Sequence, residues 1–437
     1  MNLLFENVTI VTMDKSHTIL PKGHVRIEGN RIVEVSDRPT ADDAKGARRI
    51  DAEGRVLMPG LINCHTHSAM SLLRNYGNDV ALQSWLEDYM WPMEAHLDAE
   101  AIAAGAMLNC CEMIETGTTS FVDMYYEMDA VARVVEECGM RALLTRGMSG
   151  PDDGTRIREQ RALYRDWHGK AEGRIEVMIG PHAIYTNDLD SLRAQAELGK
   201  ELGCGFNIHL NETQKEIEDC MAEYGKPPIL IFDELGMLDE RTIGAHCVWL
   251  SEAEIECLAQ RRANCCYNPA SNMKLASGFM PVQELLDRGI NVCIGTDGAA
   301  SNNRQDLLAD MHLGSLIAKG SSRNPLAITA RTMLEMATVN GAKALGKQDE
   351  LGVIAPGKLA DLILIDFRNA HHTPCNDIEA ALVYSTTGSD VTWTVVNGKV
   401  LMEERELQTI HADEVRRKAQ ATWINLQKQE AAGARRD

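Results

Sequence analysis

The chain has 437 residues, 44% of them hydrophobic and 25% charged, an ordinary globular composition, and it is long enough to bury a large core and hold more than one structural unit. Its formal charge of −20 argues against the basic face that a phosphate backbone requires, so no nucleic-acid partner is expected, whereas a nucleoside without phosphate is compatible. No run approaches the roughly 18 apolar residues of a membrane span, and Met1-Asn-Leu-Leu-Phe-Glu-Asn-Val8 carries no basic leader, so a cytoplasmic protein without a membrane partner is expected.

Residues 1–57 read as short alternating strands, one over 2–12 and a hairpin over 23–35 that turns at Gly29-Asn30. The middle alternates strands with helices. Strands are predicted over 56–62, 118–124, 141–145, 175–180, 205–210, 242–245, 263–267 and 291–295. Helical stretches lie between them, among them 101–115, 128–138, 189–202, 252–260 and 281–287. Eight such units predict an α/β fold, a (β/α)₈ TIM barrel over 58–351, with its chemistry at the C-terminal ends of the strands. The alternating pattern then returns, with a strand over 360–366 and a hairpin over 391–402 turning at Asn397-Gly398. Residues 1–57 and 352–411 are therefore expected to form one small β-sandwich domain. Residues 412–437 read as an amphipathic helix over 413–430, packed on the outside, and a disordered tail over 431–437. Twelve scattered cysteines without a Cys-x-x-Cys pair suit reduced thiols that act as small core hydrophobes.

Leu57-Met-Pro-Gly-Leu-Ile-Asn-Cys-His65-Thr-His67 ends an apolar strand in two histidines at i and i+2, which leave the same face. His209, His246 and Asp297 stand at the ends of three further apolar runs. A lone strand-end histidine is usually structural. Four histidines and an aspartate at equivalent ends of barrel strands are a donor set for Zn²⁺ or Fe²⁺, which would bring the pKa of a bound water towards ~7. His65, His67 and His209 with Asp297 make one set. His246 either replaces one of them or stands behind them, orienting the nucleophile or polarising the leaving group. The fourth strand runs to His182 rather than to a lysine that could bridge two ions, so one metal per subunit is expected. Glu212 follows His209 by three residues. It reads either as a helix-start carboxylate or as a general acid/base beside the metal, like the non-ligand glutamate of zinc deaminases of another fold.

Pro59-Gly-Leu-Ile-Asn-Cys-His-Thr-His67 and Gly295-Thr-Asp-Gly298 resemble the amidohydrolase superfamily. More specific segments resemble the 5-methylthioadenosine/S-adenosylhomocysteine deaminase family. They are His67-Ser-Ala-Met-Ser-Leu-Leu-Arg74, Asp123-Met-Tyr125, Ala142-Leu-Leu-Thr-Arg146-Gly147, Gly180-Pro-His182, Ile208-His-Leu-Asn-Glu-Thr213, Ala245-His-Cys-Val248, Asn268-Pro-Ala-Ser-Asn-Met-Lys-Leu275 and Gly295-Thr-Asp-Gly-Ala-Ala-Ser-Asn-Asn303. The resemblance implies His65, His67, His209 and Asp297 as ligands of one divalent ion, zinc or iron. It implies catalytic roles for Glu212, His246 and Asp297, and substrate contacts from Glu212 and His182. It places Glu94, in Trp91-Pro-Met-Glu94, on the ribose hydroxyls, and Trp85 near the adenine or sulfur end. Arg146 and Arg156 match two arginines near the homocysteine carboxylate, which a guanidinium fork suits.

The implied reaction is hydrolytic deamination of a small nucleoside: S-adenosylhomocysteine, methylthioadenosine, 5′-deoxyadenosine or adenosine goes to the inosine analogue plus ammonia. The same ligand motifs would serve a guanine or cytosine deaminase or a triazine hydrolase, whose substrates lack the ribose and carboxylate that Glu94 and Arg146 would meet. A non-catalytic barrel scaffold would be expected to have lost ligands or Glu212. A homo-oligomer, dimer or tetramer, is expected because barrels with such extensions often associate.

Overall fold

The computed structural model describes residues 2–38, 46–152 and 154–433. Both ends of the chain enter one nine-stranded sheet. The N-terminal part supplies Leu3–Val11, Ile19–Glu28, Arg31–Ser36, Arg48–Asp51 and Arg55–Pro59. The C-terminal part supplies Leu362–Asp366, Val391–Val396, Lys399–Glu403 and Glu406–Leu407. The seam between them is antiparallel, with Leu57 opposite Leu364. The hairpins turn at Gly29-Asn30 and Asn397-Gly398, as the turn residues dictate; Asn397 and Gly398 both adopt positive φ, 52° and 72°.

Period-two alternation buries one face. Leu3, Phe5, Val25, Ile27, Leu57, Leu362, Leu364, Trp393 and Val395 form a single apolar cluster. Two strands separate Val391–Val396 from Leu3–Val11 along the hydrogen-bonded path, which would hold them roughly 14 Å apart in a flat sheet. The rings of Phe5 and Trp393 nevertheless meet edge to face at 5.9 Å. The sheet must therefore curl over its own apolar face. A bridge between Arg31 and Leu359 and a 3.2 Å hydrogen bond from Asn30 to Asn397 fasten its far side. The sandwich is one continuous sheet folded on itself.

The strand predicted over 56–62 is divided at Gly60. Arg55–Pro59 stays in the terminal sheet, and Leu61–Thr66 begins the barrel. A Cβ on Gly60 would lie 2.2 Å from the Thr119 side chain, so the chain crosses here only without one.

The barrel consists of Leu61–Thr66, Thr118–Tyr125, Arg141–Met148, Ile175–Pro181, Asn207–Leu210, Ile243–His246, Asn264–Tyr267 and Asn291–Ile294. They form two parallel four-stranded arcs. A bridge between Ile179 and Phe206 joins the fourth strand to the fifth, and the Asp297 N–H donates to the His65 carbonyl at 2.9 Å across the other gap. Val122, Leu143, Met178, Ile243, Cys266 and Cys293 come from six different strands yet share one cluster, which they can do only across the barrel interior. Their neighbours Phe121, Ala142, Leu144, Val177 and Val292 join the cluster formed with the surrounding helices. Eleven of the twelve cysteines are buried, all are free thiols, and Cys375 is exposed.

Among the outer helices, Ala99–Glu115 is capped by Asp98, and Leu189–Leu202 by Asp188 with a left-handed Gly203 at its end. The C-terminal helix Ala412–Gly433 packs on Ala99–Glu115 through buried Ala419 and Leu426. Of the tail expected to be disordered, residues 431–433 complete this helix, and 434–437 lie outside the described residues. No helix among the described residues is long and apolar enough to cross a membrane.

At the end of the barrel away from the strand C-termini, Arg141 forms a buried two-point ion pair with Asp361 of the terminal sheet, at 2.9 and 3.3 Å. Asp361 also accepts the Asn397 N–H at 2.7 Å. Burial opposes the guanidinium charge, but Asp361 outweighs it and raises the pKa of Arg141. Replacing one partner strands the other as a buried charge. Arg141→Met is expected to cost about 3–5 kcal/mol by chemical denaturation, and the double variant Arg141→Met/Asp361→Asn to recover part of it. Equal losses in the single and double variants would show that the pair does not couple the two sheets.

Candidate active site

The strand ends converge. His65 and His67 end the first barrel strand, His182 follows the fourth, His209 lies in the fifth, His246 ends the sixth and Asp297 follows the eighth. Four non-glycine residues at these strand ends have left-handed backbone: Asn211 (φ 51°), His246 (72°), Cys247 (45°) and Asp297 (63°). Such conformations persist only where the surroundings impose them. Here the Asp297 N–H is tied to the His65 carbonyl and the His246 N–H to Asn268 Oδ1 at 3.2 Å. Gly295 is required beside them, since a Cβ would stand 2.7 Å from the His65 nitrogen.

Hydrogen bonds fix the imidazole tautomers. His67 Nδ1 lies 2.6 Å from the Met124 carbonyl, and His209 Nδ1 lies 2.7 Å from the His182 carbonyl. A carbonyl only accepts, so both Nδ1 atoms carry the proton and both Nε2 atoms present a lone pair. Those two Nε2 atoms face each other at 3.2 Å. Asp297 Oδ1 lies 3.3 Å from His67 Nε2 and 3.5 Å from His65 Nε2. Both ring nitrogens of buried His65 have no hydrogen-bond partner. Ligating atoms of His65, His67 and Asp297, and of His65, His209 and His246, lie within 4.8 Å of one another. Burial pulls the pKa of His65 down to about 4 and holds His209 well below its ordinary value, so both rings are neutral at pH 7, the form that binds metal. Burial opposes the charge of Asp297, but the neighbouring histidines hold its pKa well below the usual range. The donor set and its orphaned lone pairs fit a divalent cation.

Asp297 is steadied by Ser271 and Ser301, whose hydroxyls donate to Oδ2 at 2.6 and 3.0 Å, and by the Gly298 N–H on Oδ1 at 2.7 Å. His246 Nδ1 meets Asn272 Oδ1 at 2.9 Å, and its Nε2 lies 3.9 Å from Glu212 Oε2. The other Glu212 oxygen accepts the Ser277 hydroxyl at 3.0 Å. The Glu212 backbone is held from below: its N–H and that of Asn211 donate to the Glu216 carboxylate at 2.8 and 3.2 Å. Asn211 in turn donates to buried Glu254 at 2.7 Å. Burial pulls the His246 imidazole down, but Glu212 and Asp297 outweigh it, so His246 is the one histidine here whose pKa is raised.

These groups open into one cavity at the mouth of the barrel. Of the residues singled out in the sequence, Trp85, Glu94, His182, Glu212, His246, His67, His209 and Asp297 line it. Trp85 lies in a π-helical turn, Trp85–Met90, that leads through Trp91–Glu94 to the carboxylate. Burial raises the pKa of Glu94, and the Tyr125 hydroxyl donates to it at 2.6 Å.

Arg146 and Arg156 do not line the cavity. The third strand pairs without a bulge through Met148, which sets Arg146 opposite cavity-lining Tyr125. Its guanidinium lies 5.4 Å from the ring centre of Tyr126, which also lines the cavity together with Gly147 and Ser149. Arg146 pairs with Glu159 on the outer helix Thr155–Trp167, and Arg156 bonds the Pro151 carbonyl at 3.0 Å.

Sequence reasoning passed over Tyr125, Tyr126, Tyr185, Ser277 and Glu216. Glu216 was legible: Thr213-Gln-Lys-Glu216 has the spacing of a helix start, and Glu216 stands in the first turn of Gln214–Tyr224. The tyrosines carry no signal in spacing alone.

The Amidohydrolase family model matches residues 56–401. A 5-methylthioadenosine/S-adenosylhomocysteine deaminase of Thermoanaerobacter pseudethanolicus is 43% identical over 95% of this chain and 97% of its own. A 5′-deoxyadenosine deaminase of Methanosarcina mazei is 44% identical over 96% and 97%. Among solved structures, an adenosine deaminase of Xanthomonas campestris with bound zinc superposes with a TM-score of 0.93 at 32% identity, covering 98% of both chains. A triazine hydrolase, at 24% identity and a TM-score of 0.90, shares the fold. The chain belongs to the amidohydrolase family.

Proposed function

We propose that this chain is a metal-dependent hydrolytic deaminase that converts the adenine of 5′-modified adenosines to the inosine analogue and ammonia. The observation that carries the reading is one cavity lined by His67, His209 and Asp297 of the donor cluster, by the Glu212–His246 pair and by the Glu94–Tyr125 pair. The relatives that match nearly the whole chain bear deaminase names for these nucleosides.

His65, His67, His209 and Asp297 would hold one divalent ion, which we take to be zinc on the nitrogen-rich donor set and the zinc-bound neighbour. The ion would supply Lewis-acid activation of water at neutral pH. Glu212 gives a proton to adenine N1, which makes C6 electrophilic. Asp297 takes the proton of the attacking water, and His246 orients that water from the side facing Glu212. As the C6–N bond breaks, the amino nitrogen takes the proton held by Asp297 and leaves as ammonia, the C6 hydroxyl returns a proton to Glu212, and the adenine becomes hypoxanthine. Ser277 keeps one Glu212 oxygen engaged, so the other faces the reacting atoms. Glu94 would accept a ribose hydroxyl, its second acceptor site being held by Tyr125. The buried, unpaired thiols suit a reducing cytoplasm.

Glu212→Gln is expected to lower kcat by about 10²–10⁴-fold with metal content unchanged, read by ammonia release and elemental analysis; a variant that keeps full activity would remove the proton-transfer role. Purified protein should carry one divalent ion per chain and lose activity when chelated. It should release ammonia from methylthioadenosine and 5′-deoxyadenosine but not from guanine or cytosine. Turnover of guanine or cytosine alone would overturn the nucleoside reading.

A further inference from the structure

A second cluster of metal-binding side chains lies outside the cavity. His371, His372 and Asp390 each bring one ligating atom to within 4.8 Å of the others, and none of them lines the cavity or belongs to the donor set at the strand ends. Strand register brings them together. Leu362–Asp366 and Val391–Val396 pair antiparallel, with Ile365 opposite Val391. The chain leaving the first of these strands turns through a 3₁₀ helix at Ala370–His372, and the chain entering the second comes through another at Gly388–Asp390. Both turns therefore stand at the same end of the strand pair. The Phe367 ring stacks on that of His372, with centres 4.0 Å apart and planes at 10°, which fixes the imidazole.

The polar atoms here are not all satisfied. The Thr386 hydroxyl donates to the Ala381 carbonyl at 3.1 Å, so it accepts from His372 Nε2 at 3.0 Å. The ring proton is thereby placed on Nε2, and Nδ1 keeps a bare lone pair. His372 is 3% exposed, and its Nδ1 has no hydrogen-bond partner. Beside it, His371 Nε2 lies 2.9 Å from Asp390 Oδ2. Asp390 is held in place by the Thr387 N–H and hydroxyl, which donate to Oδ2 at 2.8 and 2.9 Å, and by the Asn369 amide, which donates to Oδ1 at 2.9 Å.

We infer that His371, His372 and Asp390 form a second site for a first-row divalent transition-metal ion, separate from the donor cluster at the strand ends. Two imidazoles and one carboxylate suit zinc or its neighbours better than magnesium or calcium, which take oxygen ligands. A tetrahedral zinc ion with bonds of roughly 2.1 Å holds its ligands roughly 3.4 Å apart, so small side-chain movements close the cluster on an ion. His372 supplies Nδ1, Asp390 supplies Oδ2, and His371 supplies Nε2, whose proton is given up as the ion enters. The His371 side chain is 44% exposed and gives the ion its way in. A water completes the shell. The ion ties the turn after one strand to the turn before the next, closing the connection that carries the helix Ile378–Tyr384. With three protein ligands against four, the site is weaker than the cluster at the strand ends, and it fills when zinc is added to protein that already holds its first ion.

The test is a zinc titration of the purified chain, with bound metal read by equilibrium dialysis and elemental analysis. The wild type is expected to take up one ion beyond that held at the strand ends. His371→Ala, a change at a partly exposed side chain, should bind that further ion at least about tenfold more weakly while keeping the first ion and ammonia release. A wild type that stops at one ion would overturn the inference. So would a variant that binds the further ion as tightly, since other surface groups would then hold it. Cobalt(II) gives a reading on the wild type alone. Added to the chain with zinc already at the strand ends, it should develop the visible absorption of a four-coordinate ion, saturating at one cobalt per chain. The weak spectrum of the hydrated ion alone would overturn the inference. The deaminase reading is tested separately by turnover and is untouched by either result.

Discussion

Everything at the mouth of this barrel follows from lone pairs that point at one another. His67 and His209 spend their ring protons on backbone carbonyls, so their remaining nitrogens meet bare at 3.2 Å, with a carboxylate oxygen beside them and an unpartnered buried imidazole next to it. Such a cluster is repulsive and costly to desolvate unless a cation sits among its members. The carbonyls of Met124 and His182 are therefore as much a part of the centre as the rings they hold, because they decide which nitrogen is free. The left-handed backbone at His246 and Asp297 belongs to the same arrangement: strain at the strand ends aims side chains that a relaxed strand would send elsewhere.

The five residues of the donor cluster, His65, His67, His209, His246 and Asp297, could be picked out in the sequence because each ends an apolar run, and a barrel gathers the ends of its strands. His65 and His67 announced themselves further through their i, i+2 spacing. Glu212 and His182 were readable by proximity to a strand end. Trp85 and Glu94 were legible only through family resemblance, since they arrive on a long connection whose path no periodicity describes. Arg146 marks the opposite limit: it stands at the end of the third barrel strand beside cavity-lining Tyr126, yet its guanidinium pairs with Glu159, and position along a strand does not say which partner a long side chain takes. The eight strands and the β-rich ends followed from alternation and turn residues. The break at Gly60 was hidden because an apolar run gives no hint that it serves two different sheets.

The acidic groups near the site divide into those that face the cavity and those that brace it. Glu216 and Glu254 never reach the cavity wall; they gather backbone and amide N–H groups around Asn211 and so fix where Glu212 departs from its strand. Burial pushes the pKa of Glu216 up to about 8, against the two backbone N–H donors that favour its charge.

The curled terminal sheet ties the two ends of the chain together through a strand pair, Arg55–Pro59 with Leu362–Asp366, whose members are separated by the entire barrel. During synthesis the N-terminal strands emerge first and wait without their edge partners until the barrel has been made. The sheet is thus a late, long-range closure of high contact order, laid over a barrel built mostly from neighbouring units. Until it closes, Leu57 and Phe5 remain without the C-terminal half of their apolar cluster. Part of the apolar core over the early strands is thus supplied only by the late ones.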